Sequence, residues 1–298
     1  MVEDAMPPFA LGLAIWGYKN WLGDLFPEKT RPQNFLKCYA ERFSIVEGNT
    51  TFYSIPTPAM VSRWKSETSP GFKFFPKLPK TITHQGRLMP YLPQAFRFLI
   101  LMQGLDDRLG GLFLQLPPSY GVSNFKDLAL FLSSWRSATT VPLFIEVRHL
   151  SWFDPAQRDR LNQLLTQYQI DRVILDTRPI YNADDNPQQY SVNQKPNLPV
   201  QPVVTNGHAF VRYISHPIRD RNTEYFSEWV EQVTAWLNQG YRVNFFVHCP
   251  LEDQSPQNAR YFQELLERSG LVIPPLPWNC LPNIQAEALS TQLGLFES

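Results

Sequence analysis

Charged and polar side chains close most of the short apolar runs in this 298-residue chain, and their types could do chemistry. Glu47 and Asn49 end the run 44–49, Lys77 the run 74–77, Gln115 the run 112–115, and Glu146 and Arg148 the run 143–148. Asp176, Arg212 and His248 close three later runs. Glu47, Glu146, Asp176 and His248 are the catalytic candidates. Paired carboxylates can divide acid and base roles at a scissile bond or share a divalent metal, and a histidine can move a proton near neutral pH. Lys77, Arg148 and Arg212 would hold an anionic group, because guanidinium forks match phosphate and carboxylate oxygens. Lys77 would also be able to form a Schiff base if it were desolvated. The same mixed charges could instead neutralise one another in a structural network.

Further polar and aromatic groups follow the runs. His84, His149 and His216 stand in the segments just after them, and Trp16, Tyr18, Trp21, Phe52, Tyr53, Trp152 and Phe153 follow the first, second and fifth. With Asn49 and Gln115, the residues Trp16, Tyr18, Trp21, Tyr53, His84, His149 and His216 are the substrate-binding candidates beside the cations. Aromatic faces there could stack on sugars or nucleobases, or pack over the fold. A divalent metal is left open by the His and carboxylate types, although no His-x-His or His-x-x-x-His spacing marks a site. No other cofactor is indicated.

Eight apolar runs alternate with helix-like segments at 32–43, 58–67, 91–109, 124–136, 155–169, 224–239 and 256–268, several opening on Ser, Thr, Asn or Asp next to Pro. That alternation predicts a parallel sheet, and eight strands favour closure into a single (β/α)8 TIM-like barrel over residues 1–268. Side chains two apart share a strand face. Glu47, Gln115, Glu146, Asp176, Arg212 and His248 are therefore expected to face inward together at the carboxyl ends, with Val46, Leu114, Ile145, Leu175, Val211 and Val247 facing the helices. The interval 178–207 carries no amphipathic period and is read as a long loop after strand six, either a cover over a site or a plain surface excursion. Residues 269–298 form a proline-rich C-terminal extension.

Composition narrows the function classes. Formal net charge is zero, so no global field draws the chain to nucleic acid or membrane. Three widely spaced cysteines suit reduced thiols, and no signal peptide or membrane span is read, so a cytoplasmic protein is expected. No Gly-x-Ser-x-Gly elbow, phosphate loop or Cys-x-x-Cys occurs.

The strings Val46-Glu47-Gly48-Asn49-Thr50-Thr51-Phe52-Tyr53, Phe74 to Lys77 with Thr83-His84, Leu114-Gln115-Leu116-Pro117, Glu146-Val147-Arg148-His149 and Val173 to Pro179 are ordered motifs. With the segment around Trp64, they resemble the bacterial YecE-like family, domain of unknown function 72 (DUF72), from about residue 11 to 266. The resemblance implies a TIM-like barrel in an intracellular bacterial protein and no established activity. Many members carry His-Gly-Arg after the strand-seven Arg and paired Asn at strand eight, whereas this chain has Tyr213-Ile214-Ser215-His216 after Arg212, and Phe246-Val247-His248.

Near the end, Gln292-Leu293-Gly294-Leu295-Phe296 is similar to the peptide by which bacterial polymerases and repair factors bind the DNA sliding clamp. Gln292, Leu293, Leu295 and Phe296 would be its partner-binding residues. The expectation is a hydrolase acting on a phosphate-containing substrate, nucleic acid included. A glycoside-type hydrolase using paired carboxylates and a non-enzymatic clamp-associated protein are the alternatives.

Overall fold

The computed structural model describes residues 7–185, 187–188 and 195–282. Each apolar run contains a strand: β1 (Phe9–Leu13), β2 (Ile45–Gly48), β3 (Lys73–Pro76), β4 (Leu112–Gln115), β5 (Leu143–Glu146), β6 (Asp171–Asp176), β7 (His208–Ile214) and β8 (Arg242–His248). Between and after them lie α1 (Phe35–Ala40), α2 (Thr50–Tyr53), α3 (Pro58–Ser66), α4 (Lys80–Thr83), α5 (Leu92–Met102), α6 (Phe125–Ala138), α7 (Pro155–Gln167), α8 (Arg178–Tyr181), α9 (Thr223–Asn238) and α10 (Ser255–Arg268). Proline opens α3 and α7, where its missing N–H costs nothing. Thr57 and Asp154 just before them accept hydrogen bonds from first-turn amides.

All strand pairs are parallel, in the order β3-β2-β1-β8-β7-β6-β5-β4. The remaining seam, β3 to β4, is bridged at Lys77–Phe113, where the Leu78 amide donates to the Phe113 carbonyl at 2.9 Å. The result is a nearly closed (β/α)8 barrel. β1 approaches β2 so closely that a Cβ on Gly12 would lie 2.1 Å from the Ile45 carbonyl oxygen, which leaves glycine as the residue that fits.

Two apolar layers separate cleanly. Outward residues such as Val46, Leu114, Ile145, Val211 and Val247 join the helices in the large outer core. Inside, Ala10, Ile45, Phe75, Phe113, Phe144, Val173, Phe210 and Phe246 fill the barrel. Phe210 packs 4.7 Å from Phe246 and 4.8 Å from Phe144, centroid to centroid. These rings make a dry floor, and the next inward position on most strands is polar.

Two expectations are corrected. First, β6 has the opposite parity: Val173 and Leu175 point inward, and Asp176 turns to the helix layer. The register pairs Leu175 with Arg212 and Asp176 with Tyr213, and Tyr213 belongs to the outer core. Second, the segment 91–109 is not one helix, because α5 gives way to 3-10 turns at Gln103–Arg108, where Asp106 takes a left-handed φ of 55°. Trp16, just past the end of β1, lies edge-on to Trp64 of α3 at 5.1 Å and to Phe74 at 6.0 Å, against the helix layer.

Among the described residues after β6, the single turn α8 is the one helix before β7, in keeping with the long loop. Beyond α10 the chain returns to the barrel, where Trp278 is buried, its amide bonded to the Arg42 carbonyl at 3.1 Å. Gln292 to Phe296 lie outside the described residues. Among the described residues no helix is long and apolar enough to cross a membrane.

Candidate active site at the barrel mouth

Inward parity places Glu47, Lys77, Gln115, Glu146, Arg212 and His248 directly above the phenylalanine floor. Arg212, 0% exposed, is the hub. Its Nε donates to Glu47 Oε2 at 2.7 Å and one Nη to Glu47 Oε1 at 3.0 Å. The other Nη donates to Glu146 Oε2 at 2.5 Å. Lys77 Nζ sits 2.7 Å from Glu47 Oε1 and donates to Gln115 Oε1 at 3.1 Å. Arg148, one step higher on the same face as Glu146, donates through Nε to Glu146 Oε1 at 2.5 Å and through Nη2 to Gln115 Oε1 at 2.9 Å. His248 Nε2 lies 3.0 Å from Glu47 Oε2.

Burial and charge set the protonation states. Burial alone would raise both glutamates, but their cations outweigh it. Arg212, Lys77 and His248 hold Glu47 well below the ordinary carboxylate value, and Arg148, Arg212 and Lys77 bring Glu146 down to about 2. Lys77 falls to about 7, from burial first and then the Arg212 charge, against the pull of Glu47 and Glu146. Burial lowers His248 to about 3, so the ring is neutral and its Nε2–H donates to Glu47. Both carboxylates are thus anions whose oxygens already face cations or the His248 N–H. Among the described residues no group of three or more His, Cys, Asp or Glu side chains could hold a metal.

The other candidates divide. His84 reaches the mouth: it is lowered to about 4 by burial and by the charges of Arg148, Lys77 and Lys80, and its Nδ1 lies 2.7 Å from Thr83 Oγ1. Asn49 braces the β1 loop, donating to the Ala14 carbonyl at 3.0 Å. Tyr18 is at the rim, its phenol raised by burial and by Asp253 and Glu252. Trp21 is fully buried, its indole N–H bonded to the Glu252 carbonyl at 3.0 Å, so it ties the β1 and β8 loops together.

Four residues do other work. Tyr53 is 59% exposed and points away, whereas its neighbour Phe52 lies under Lys77 and edge-on to His84. His149 caps the next turn by accepting from the Ser151 amide. His216 accepts from the Ile218 amide on Nδ1 and lies 3.2 Å from Asp185 on Nε2. Asp176 takes three bonds from Arg178 and one, at 2.8 Å, from the Trp229 indole of α9.

The profile of the family described as "Protein of unknown function DUF72" matches residues 10–281. This chain belongs to the DUF72 family. UPF0759 protein YecE of Escherichia coli K12 is 32% identical over 262 residues, 87% of this chain and 93% of the relative. UPF0759 protein YunF of Bacillus subtilis 168 is 27% identical over 151 residues, 49% of this chain and 52% of its own. A solved DUF72 protein of Enterococcus faecalis V583 superposes with a TM-score of 0.68 at 20% identity, covering 90% of this chain and 98% of that one. One of Thermotoga maritima MSB8 gives 0.64 at 21% identity, covering 87% and 99%. At such identity these structures speak to the fold, which they share.

Two residues of this DUF72 mouth escaped the sequence. Lys195, from the β6–β7 loop, is lowered to about 8 by burial and by the Arg212 and Arg148 charges, so its amine is within electrostatic reach of the ring. It lay in the interval with no readable period. Glu252, four residues past His248, is raised to about 8 by burial, with Glu47 adding to the effect, and its Oε1 is enclosed without a partner among the described residues. The rule that chemistry follows strand ends would have reached it had the loop after β8 been included. With Glu252 and both histidines neutral, the cations outweigh the two glutamates near pH 7, and the mouth carries net positive charge.

Proposed function

We propose that the barrel mouth binds the phosphate group of its substrate and that the protein is a phosphate-ester hydrolase, with nucleic acid among the candidate substrates. The observation that carries this reading is the gathering of Arg148, Arg212, Lys77 and Lys195 at one buried mouth, with the two lysines depressed first by burial and then by the crowding of guanidinium charge. An arriving anion would relieve that crowding. Arg148 and the lysines would take the phosphate oxygens, and Arg212 would hold the site rigid from below. Glu47 fixes the His248 tautomer and leaves Nδ1 as the ring's acceptor, suited to orient an attacking water. Glu252, neutral at pH 7, would return a proton to the leaving group.

The glycosidase alternative needs one carboxylic acid with a raised pKa in the pair. Glu47 and Glu146 are both held anionic by a shared guanidinium, which disfavours these two as the acid and base of that pair. A phosphatase and nuclease screen, with and without added divalent metal, tests the proposal. Turnover should appear with the wild-type protein and fall at least ~100-fold in Glu146→Gln, which loosens Arg148 and Arg212. No turnover on any phosphate ester overturns it.

A further inference from the structure

Phosphate binding uses Lys77 as one cation among four, yet its setting is that of a nucleophile. It is 3% exposed at the carboxyl end of β3. Its Nζ is fixed between Glu47 Oε1 and Gln115 Oε1, 4.8 Å from the Phe113 ring centre and 5.8 Å from that of Phe52. An apolar wall and an adjacent guanidinium are two settings that free a lysine lone pair near neutral pH, and the value of about 7 accords with both. A carboxylate 2.7 Å away stands ready to relay protons.

We propose that Lys77 forms an imine with a carbonyl-bearing anion, an aldehyde or ketone that also carries a phosphate or carboxylate group seated by Arg148 and Lys195. The neutral Nζ attacks the carbonyl carbon, forming the C–N bond while the carbonyl π pair moves to oxygen. A nitrogen proton passes to that oxygen by way of Glu47, giving a neutral carbinolamine. One further proton, taken from solvent, lets the hydroxyl leave as water as the nitrogen lone pair closes the C=N bond. The product is an iminium on Lys77 plus one water. Such an iminium draws electrons from the neighbouring carbon, so the chemistry it serves is proton removal or carbon–carbon cleavage there.

This inference rests on the anion-binding half of the proposed function and not on hydrolysis. The test is reductive trapping on the wild-type chain at pH 7.5. Pyridoxal 5′-phosphate and pyruvate are the probes, cyanoborohydride is the reductant, and peptide mass mapping locates the adduct. Exposed lysines near 10.5 are only about one part in a thousand unprotonated there. Lys77 should therefore carry the adduct at least ~10-fold over any exposed lysine, inorganic phosphate should suppress it, and Lys77→Arg should lack it. Labelling spread over exposed lysines, or confined to Lys195, overturns the imine. Calorimetry with inorganic phosphate separates the two ideas. Phosphate binding without a Lys77 adduct removes the imine and leaves the anion site, while a Lys77 adduct without phosphate binding removes the anion site and overturns the proposal that an anionic group seats the carbonyl. Because the mapping is done on wild-type protein, it does not depend on the variant folding.

Discussion

Arg212 neutralises two buried carboxylates, so replacing it acts on three charges. Arg212→Met would leave Glu47 and Glu146 facing each other in a dry barrel, with Lys77 and Arg148 as partial compensation. Breaking a buried ion pair from one side costs about 3–5 kcal/mol, and a loss of that size is expected in urea unfolding. His248 acts through pH. Its value is about 3 in the fold against 6.5 when unfolded, so between these the unfolded chain binds the proton and the fold does not. Stability therefore falls as pH drops from 6.5 toward 3. His84, at about 4, adds to the same window, and Glu146, at about 2, adds a loss that begins below 4.5. His248→Gln should shift the acid-unfolding midpoint to lower pH by circular dichroism. An unchanged midpoint would show that His248 is not buried neutral.

At the scale of the element, β6 shows how a strand's parity is decided. Its six residues are all buried, so neither face reads as solvent and the strand has no alternation of its own. Only pairing with β7 sets Leu175 level with Arg212 and turns Asp176 toward Trp229. The carboxylate thereby anchors α8 and α9 to the barrel wall. Asp176→Ala strips the Trp229 N–H and the Arg178 guanidinium of a shared charged acceptor. It should cost about 1–3 kcal/mol in thermal or urea unfolding while leaving phosphate affinity within twofold of wild type. A large loss of affinity would return Asp176 to the site. Most of the other strands were legible because a polar residue takes one inward position above an aromatic or aliphatic one, as in Phe144-Ile145-Glu146 and Phe246-Val247-His248.

Across the whole molecule, zero net charge conceals a local excess, since the barrel gathers its cations at one mouth. Lys77 at about 7 and Lys195 at about 8 must be protonated to hold an anion well. Phosphate affinity should therefore fall as pH rises through 7 to 8, by at least ~10-fold between pH 6.5 and 9. Calorimetry below pH 9 should also show proton uptake as a buffer-dependent heat. Affinity independent of pH would remove the lysines from the anion site.

The sequence by itself determined eight strands, their parallel alternation with helices, and most of the ring at their ends, because these follow from local runs of side chains with a two-residue period. Tertiary structure alone decided which way β6 faces, that Lys195 and Glu252 reach the ring, and which groups are charged. Each of those depends on neighbours far along the chain. Glu47 and Arg212 are 165 residues apart, and the field that sets Lys77 exists only once the barrel brings them together.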